Sequence, residues 1–261
     1  MTQIPISSAM IAAQPWIPDP FSGSQGWVAR YGATPPSQFA SAQMIADKWK
    51  FSREDMEAFA CNPHGRWRRF EGRFDREIAP LNGVSMDETP RNTSMEKMAE
   101  LEPLAEGGTI TAAVSSQTCD GSSAMLIVSE AALKRYNLTP RARIVHMSVR
   151  GADPIWMLTA PIPATAYAMQ KSGMQLEDID LVEINEAFAS VPMAWLADTG
   201  YPVQEDQREW RGDCAGHPLG ATGTKLMTTL LCELERSGGR YGLQTMCEGG
   251  GQANVTIIER L

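Results

Sequence analysis

The chain has 261 residues, of which 43% are hydrophobic and 21% are charged, and its formal net charge is −8. This composition is typical of a globular protein with one or two domains. The negative charge argues against binding to nucleic acid through the phosphate backbone, although a few local donors could still hold an anionic ligand.

The five cysteines and the N-terminal residues bear on the compartment. The number of cysteines is odd, they are widely spaced and they form no CxxC pair, which argues against a disulfide framework or a metal site. The N-terminus lacks the basic region of a signal peptide, and no apolar run approaches the roughly 20 residues that a membrane span needs. We therefore expect a cytoplasmic protein with reduced thiols and no membrane association.

The first part of the chain predicts loops and two helices. Residues 1–37 are rich in Pro, Ser, Gly and Ala, which favour loop. The apolar spacing of 39–49 predicts a helix with Ser37 as its N-cap, and Ser52 is the expected N-cap of a second helix. A proline and a glycine within 61–70 predict an interruption of that second helix.

After residue 109 strands and helices alternate. The expected elements are a turn into a buried element (119–128), a helix capped by Ser129, a strand (141–151), a helix (159–173), a strand, turn and helix (176–196), an amphipathic helix (223–239) and a last strand (253–261). Such alternation predicts an α/β fold.

Two short motifs stand before helices. In Asn185-Glu186-Ala187-Phe188, an amide at a strand-to-helix turn could position water, or Asn185 could be only an N-cap. In GHPLGATG (216–223), His217 lies between a glycine and a proline, and glycine lets a backbone approach a ligand closely. The alternative for His217 is a purely structural histidine in a helix-entry turn.

A third motif places Cys247 before three glycines and the last strand. A thiol with a pKa of about 8.5 can exchange a proton near neutral pH, and consecutive glycines leave N–H groups free to face an oxyanion. The alternative is a tight turn with a buried, inert cysteine. A dinucleotide-binding loop is disfavoured because such a loop follows a strand and opens a helix.

The three motifs in this order, NEAF, GHPxGxTG and CxGGG, resemble the signature set of the thiolase family. The resemblance extends to the segments at 56–60, 71–81, 107–130 and 153–165, and it is weakest over the first 40 residues. It looks closest to acyl-CoA thiolases of bacterial lipid or steroid breakdown. It implies acyl transfer between 3-oxoacyl-CoA or acetyl-CoA and coenzyme A through an enzyme cysteine.

The resemblance implies four catalytic residues. His217 would activate the nucleophile and help to bind the thioester oxygen, and Asn185 would hold the water that completes this oxyanion site. Cys247 would be the general acid and base, and the Gly249 N–H would belong to a second oxyanion hole. These residue types suit the chemistry, since a thiolate nucleophile needs a base and a developing oxyanion needs fixed donors.

The resemblance also implies a coenzyme A site. Ser116 matches a coenzyme A contact, and Met157, Ala187 and Phe188 would line the channel for pantetheine and substrate. Coenzyme A and acyl-CoA would be substrates, with no permanently bound cofactor and no metal. Because family members form dimers and tetramers, we expect a homo-oligomer or association with a thiolase-type subunit.

The implied architecture is α/β and thiolase-like, with a C-terminal βαβαβαββ half, a loop domain and an N-terminal half that is mostly absent. The expected domains are a loop domain (1–117), a remnant of the N-terminal domain (118–140) and the C-terminal domain (141–261).

The sequence departs from the family pattern in two places. None of the five cysteines stands in the family's nucleophile context, so we expect impaired turnover; the alternative is a non-catalytic remnant that binds coenzyme A or serves as a partner subunit. A thiolase-like aldolase partner is disfavoured by NEAF and CxGGG. Residues 204–216 carry charged residues where the family has a glycine-rich apolar segment. Our hypothesis is that a compensated shift of reading frame produced this stretch, and the same hypothesis extends to 61–70.

Overall fold

A computed structural model describes residues 8–13, 21, 23–66, 72, 74–90, 92–202 and 216–261. Its α-helices are α1 (Ser8–Ala13), α2 (Gln25–Tyr31), α3 (Gln38–Trp49), α4 (Arg53–Arg66), α5 (Met95–Ala99), α6 (Glu130–Arg135), α7 (Pro161–Ser172), α8 (Ser190–Thr199) and α9 (Thr222–Ser237). Its strands are β1 (Ala142–Gly151), β2 (Leu181–Ile184), β3 (Tyr241–Glu248) and β4 (Gln252–Arg260). No helix among these residues combines the length and apolarity that a membrane crossing needs.

The four strands form one mixed sheet in the order β1-β4-β3-β2. β4 pairs antiparallel with β1 and with β3, while β2 runs parallel to β3. The expected α/β class is confirmed. The further strand of the expected order would fall in 203–215, as does most of the stretch ascribed to a shifted reading frame, and both lie outside the described residues.

Helices cover both faces of this sheet. On one face, small residues of α7 such as Ala164 and Ala168 pack against Leu243, Val255 and Ile257. On the other face, α9 packs against Ile258 of β4, which points away from Val255 and Ile257. The side chains of α9 in this cluster are Met227, Leu230, Leu231 and Leu234. Each large apolar side chain buried in this way contributes about 1.5–3 kcal/mol. The two-sided packing fixes the ends of β2 and β3, where Asn185 and Cys247 lie.

A third core lies where α3 meets α8. Ile45 of α3 is fully buried in it together with Ala194 of α8. Side-chain hydrogen bonds fix the contact: the Ser41 hydroxyl donates to the Trp156 carbonyl (2.8 Å), and the Ser190 hydroxyl donates to the Ala42 carbonyl (3.2 Å). These bonds hold helix α3 against the loop between β1 and α7 and against the start of α8.

The expected serine caps are confirmed. The hydroxyls of Ser37 and Ser129 accept the N–H groups of Ala40 (3.3 Å) and Ala132 (3.2 Å). The Ser52 hydroxyl accepts the Asp55 N–H, and the Asp55 carboxylate accepts the Ser52 N–H at 2.9 Å, which makes a reciprocal cap.

Three expectations for the elements are wrong. Within 1–37, α1 and α2 are present, and α2 is capped by Ser24, whose hydroxyl accepts the Trp27 N–H. Helix α4 continues to Arg66, through the proline and the glycine that were expected to interrupt it.

The third wrong expectation is the buried element at 119–128. This segment has no regular structure, and Leu126 and Ile127 are 79% and 69% exposed. No described strand pairs with the segment, so most of its apolar side chains face outward. Met125 is the exception, since it packs against the α9 cluster.

Candidate active site

Asn185 and Cys247 meet at one end of the sheet. Asn185 follows β2 and Cys247 lies near the end of β3; because these strands are parallel, their carboxyl ends are adjacent. The Asn185 side-chain oxygen accepts the Cys247 N–H at 2.8 Å, and its amide nitrogen donates to the Cys247 Sγ at 3.2 Å. Both residues are buried. Asn185 is therefore not an N-cap, and α8 begins only at Ser190.

The glycine turn after Cys247 is open on one side and crowded on the other. A Cβ added at Gly249 would meet nothing within 4 Å, so its exposed backbone can be approached by a ligand. At Gly251 the φ angle is +80°, and a Cβ would lie 2.7 Å from the Asp153 carbonyl oxygen. Gly251 also accepts the Ala152 N–H at 2.7 Å. Only glycine suits this position, which ties the turn to the segment that leads into α7.

The segment 114–118, which leads out of a short 3-10 helix (Ala112–Val114), joins two of the motifs. The Ser116 N–H donates to the Ala187 carbonyl at 3.0 Å, and the His217 N–H donates to the Gln117 carbonyl at 2.7 Å. The segment therefore lies between the NEAF turn and the GHP turn. Ser116, the expected coenzyme A contact, is placed beside Ala187 of the expected channel.

His217 is fixed by a residue that the sequence analysis did not single out. Its Nδ1 lies 2.6 Å from the Oγ1 of Thr222, the buried first residue of α9. Burial lowers the pKa of His217, and the positive charge of Lys225 lowers it further, so the imidazole is neutral at pH 7. The signal for Thr222 was present in the sequence as the threonine of GHPxGxTG, five residues after the histidine.

Apolar residues close the site on the side of α3. Met157 and Phe188 are buried in one cluster with Cys247, and Ala187 packs against that cluster. The Phe188 ring meets the edge of Phe39 at a centroid distance of 5.6 Å. Met157 has a φ angle of +24°, a strained backbone for a residue with a Cβ. Strain of this kind persists where the surroundings fix the chain, as they do here.

The structure thus brings the expected residues together in two groups. In the first group, Asn185 is hydrogen-bonded to Cys247, which is buried in one cluster with Met157 and Phe188. In the second, Ser116 is hydrogen-bonded through its backbone to Ala187, which packs against that cluster. His217 is linked to this pair through the segment 114–118, and its ring is hydrogen-bonded to Thr222.

The other cysteines lie in unlike surroundings. Burial raises the pKa of Cys61, with the nearby Glu96 charge adding to the effect, and burial also raises the pKa of Cys232 in α9. Neither has the depressed pKa of an activated thiol. Cys119 packs against the backbone of Gly216, and Cys214 lies outside the described residues.

Comparison with known proteins gives a consistent result. Two family models match, "Thiolase, N-terminal domain" over residues 38–131 and "Thiolase, C-terminal domain" over 138–260. The chain is 53% identical to the steroid 3-ketoacyl-CoA thiolase FadA6 of Mycobacterium tuberculosis, covering 100% of this chain and 66% of that protein. It is 40% identical to a 3-ketoacyl-CoA thiolase of Vibrio cholerae, covering 84% of this chain and 61% of that protein.

Solved structures agree with the sequence matches. Human mitochondrial 3-ketoacyl-CoA thiolase in complex with CoA superposes with a TM-score of 0.81 at 38% identity, covering 85% of this chain and 58% of that one. Acetyl-CoA acetyltransferase of Bacillus anthracis superposes with a TM-score of 0.79 at 33% identity, covering 85% and 60%. The chain spans less than two thirds of the length of these relatives.

Proposed function

Because the chain belongs to the thiolase family, we propose that it carries the acid–base and oxyanion part of an acyl-CoA thiolase reaction, in the breakdown of fatty acids or steroid side chains. The reaction moves an acyl group between 3-oxoacyl-CoA or acetyl-CoA and coenzyme A through an enzyme cysteine. The observation that carries the proposal is the contact of Asn185 with Cys247 beside the open turn at Gly249.

Cys247 is the proton carrier of this proposal. The Asn185 amide donates an N–H to its sulfur, a contact that would stabilise negative charge there, and the residue is buried. Cys247 would take a proton from the acetyl carbon of acetyl-CoA or return one to it. The enolate oxygen formed in this step is the thioester oxygen, which His217 and the water held by Asn185 would stabilise, while the Gly249 N–H would belong to the second oxyanion hole.

His217 is the proposed base for the nucleophile. Once its Nε2 holds that proton, it would donate to the thioester oxygen, with Asn185 holding the water of that oxyanion site. A neutral imidazole can accept a proton, and the lowered pKa of His217 keeps it neutral at pH 7. Because the Asn185 amide is hydrogen-bonded to Cys247, we expect a bound substrate to shift the two residues together.

We place coenzyme A along the segment that contains Ser116, with Met157, Ala187 and Phe188 lining the channel toward Cys247. The support is their shared position: Ser116 pairs with Ala187, and Met157 and Phe188 contact the cluster that holds Cys247. The proposed division is a loop domain (1–117), a remnant of the N-terminal domain (118–140) and the C-terminal domain (141–261).

The direct test is exchange of the acetyl protons of acetyl-CoA in D2O, followed by NMR, because this step needs the acid–base residues but no nucleophilic cysteine. We expect exchange above the buffer rate, lost in Cys247→Ser and kept in Cys232→Ser, whose thiol lies in α9. Exchange no faster than buffer would contradict the proposal.

Thiolysis of acetoacetyl-CoA tests the other half of the proposal. We expect turnover close to background, because Cys61 and Cys232 lack the surroundings of an activated nucleophile and Cys247 is assigned to proton transfer. Rapid thiolysis by the purified chain would show that one of its cysteines is the nucleophile after all.

A second candidate function is that of a partner subunit, which pairs with itself or with a thiolase-type chain. The observation that favours it is the exposed apolar surface of β1, where Met147 and Val149 are 66% and 64% exposed. Size-exclusion chromatography with light scattering, alone and with a full-length relative, tests it; a monodisperse monomer in both runs would argue against it.

A further inference from the structure

Thr222 stands in an unusual position among the residues around the site, because its one hydroxyl contacts two groups. It lies 2.6 Å from His217 Nδ1 and 3.1 Å from the carbonyl oxygen of Pro218. A carbonyl oxygen can only accept, so the hydroxyl proton of Thr222 points to Pro218. The oxygen of Thr222 is then left to accept from His217.

We propose that Thr222 is a positioning residue that holds His217 in the tautomer with its proton on Nδ1 and its lone pair on Nε2. A ring nitrogen that donates to a fixed acceptor determines which nitrogen remains free as a base. The inference deepens the proposed function, since it explains how the same histidine presents a basic nitrogen toward substrate.

The surroundings make Thr222 a fixed acceptor. Its side chain is 2% exposed, and its backbone N–H also donates to the Pro218 carbonyl at 3.1 Å. It is the first residue of α9, a helix whose far side is buried against the sheet. Burial and the bond to the Pro218 carbonyl therefore hold the hydroxyl beside the imidazole.

The backbone that bears His217 is fixed as well. Lys225 donates from Nζ to the Gly216 carbonyl at 2.8 Å and lies 3.7 Å from the Asp87 carboxylate. Gly216 has a φ angle of +68°, and a Cβ there would be 2.6 Å from the Cys119 sulfur. Because both ends of the turn are held, the His217 ring can change mainly by rotating and by exchanging its proton. The contact with Thr222 restricts each of these.

The tautomer can be read by NMR without any substrate. The full chain labelled with 15N-histidine contains three histidines, and the signals of His217 are assigned by their loss in His217→Gln. At pH 8, where the imidazole is neutral, long-range 1H–15N correlation spectra distinguish a protonated Nδ1 from a protonated Nε2. We expect the protonated Nδ1 form in the unmodified chain.

Two variants of Thr222 supply the comparison. Thr222→Val keeps the shape of the side chain but removes the acceptor, so the His217 signals should change to a mixture rich in the protonated Nε2 form. Thr222→Ser restores the hydroxyl and should restore the original tautomer, which a merely space-filling role would not require. Unchanged signals of His146, whose ring contacts Ser148 in β1, report that the sheet is intact.

A protonated Nε2 in the unmodified chain overturns the proposal, and this reading does not depend on whether Thr222→Val folds. An unchanged tautomer in a folded Thr222→Val variant overturns it too. The proposed function fails separately: a protonated Nδ1 in a chain that exchanges no acetyl protons would leave the role of Thr222 standing and refute the catalysis.

Discussion

At the scale of single residues, the amide of Asn185 makes three hydrogen bonds to one neighbour, one of them to the carbonyl oxygen of Cys247. It accepts the backbone N–H of Cys247 and donates to the sulfur of the same residue. A hydrogen bond to the charged form of a group favours that form. Asn185 therefore orients Cys247 and offers an N–H to negative charge on its sulfur.

We expect Asn185→Asp to slow alkylation of Cys247 by iodoacetamide at pH 8 by about tenfold, because a carboxylate beside the sulfur disfavours the thiolate and one pKa unit is a factor of ten in thiolate. The rate is measured by mass spectrometry of the Cys247 peptide. Cys61 in α4 is the internal control and should react at an unchanged rate. Equal or faster alkylation of Cys247 in the variant would refute the electrostatic role of Asn185.

The residues that motif reasoning could find are those whose chemical type is itself informative. Few structural roles require an amide, an imidazole and a thiol in this order, which is why Asn185, His217 and Cys247 could be found from the motifs. The structure places Asn185 against Cys247. Thr222 was missed because a threonine at a helix start is commonplace. Its contact with His217 depends on the path of the intervening turn, which no spacing rule provides.

At the scale of elements, the starts of three helices were predictable, whereas α1, α2 and the exposure of 119–128 were not. The caps of Ser37, Ser52 and Ser129 follow from a local hydrogen bond between neighbours in sequence. The segment 119–128 was expected to be buried because its composition is apolar. Burial needs a partner from elsewhere in the chain, and a local pattern carries no information about that partner.

The turn between β3 and β4 offers a matched pair of substitutions. Gly251→Ala should lower the free energy of unfolding by about 2 to 4 kcal/mol, since it combines a left-handed φ with a clash against the backbone of Asp153. Gly249→Ala, at an open position with no positive φ, should change it by less than about 0.5 kcal/mol. Urea unfolding measures both, and equal losses would contradict the contact described at Gly251.

At the scale of the whole molecule, the helices of the described residues leave one part of the sheet uncovered. Met147 and Val149 of β1 lie opposite Thr256 and Asn254 of β4, on the face that α9 covers farther along the sheet. Both side chains are largely exposed, and β1 is an edge strand of the described sheet. An apolar edge of this kind favours association.

We expect the double substitution Met147→Lys and Val149→Lys to reduce concentration-dependent self-association and binding of the dye ANS, because charge on an exposed strand edge opposes pairing. Stability should change by no more than about 1 kcal/mol, since neither side chain is buried. Val84→Lys, at an exposed valine in a separate turn, is the control and should change neither readout. If the double variant self-associates as strongly as the unmodified chain, the surface that mediates association is not the one formed by Met147 and Val149.

The position of β4 inside the sheet has a consequence for synthesis of the chain. β1 has β4 as its partner in the described sheet, and their pairing joins Ala142 to Arg260. At a translation rate of roughly 5–20 residues per second, β1 therefore waits on the order of 5–20 s after its own synthesis before its partner strand exists. During that interval the nascent chain presents an unpaired apolar strand, which makes it a natural client for chaperones that act at the ribosome.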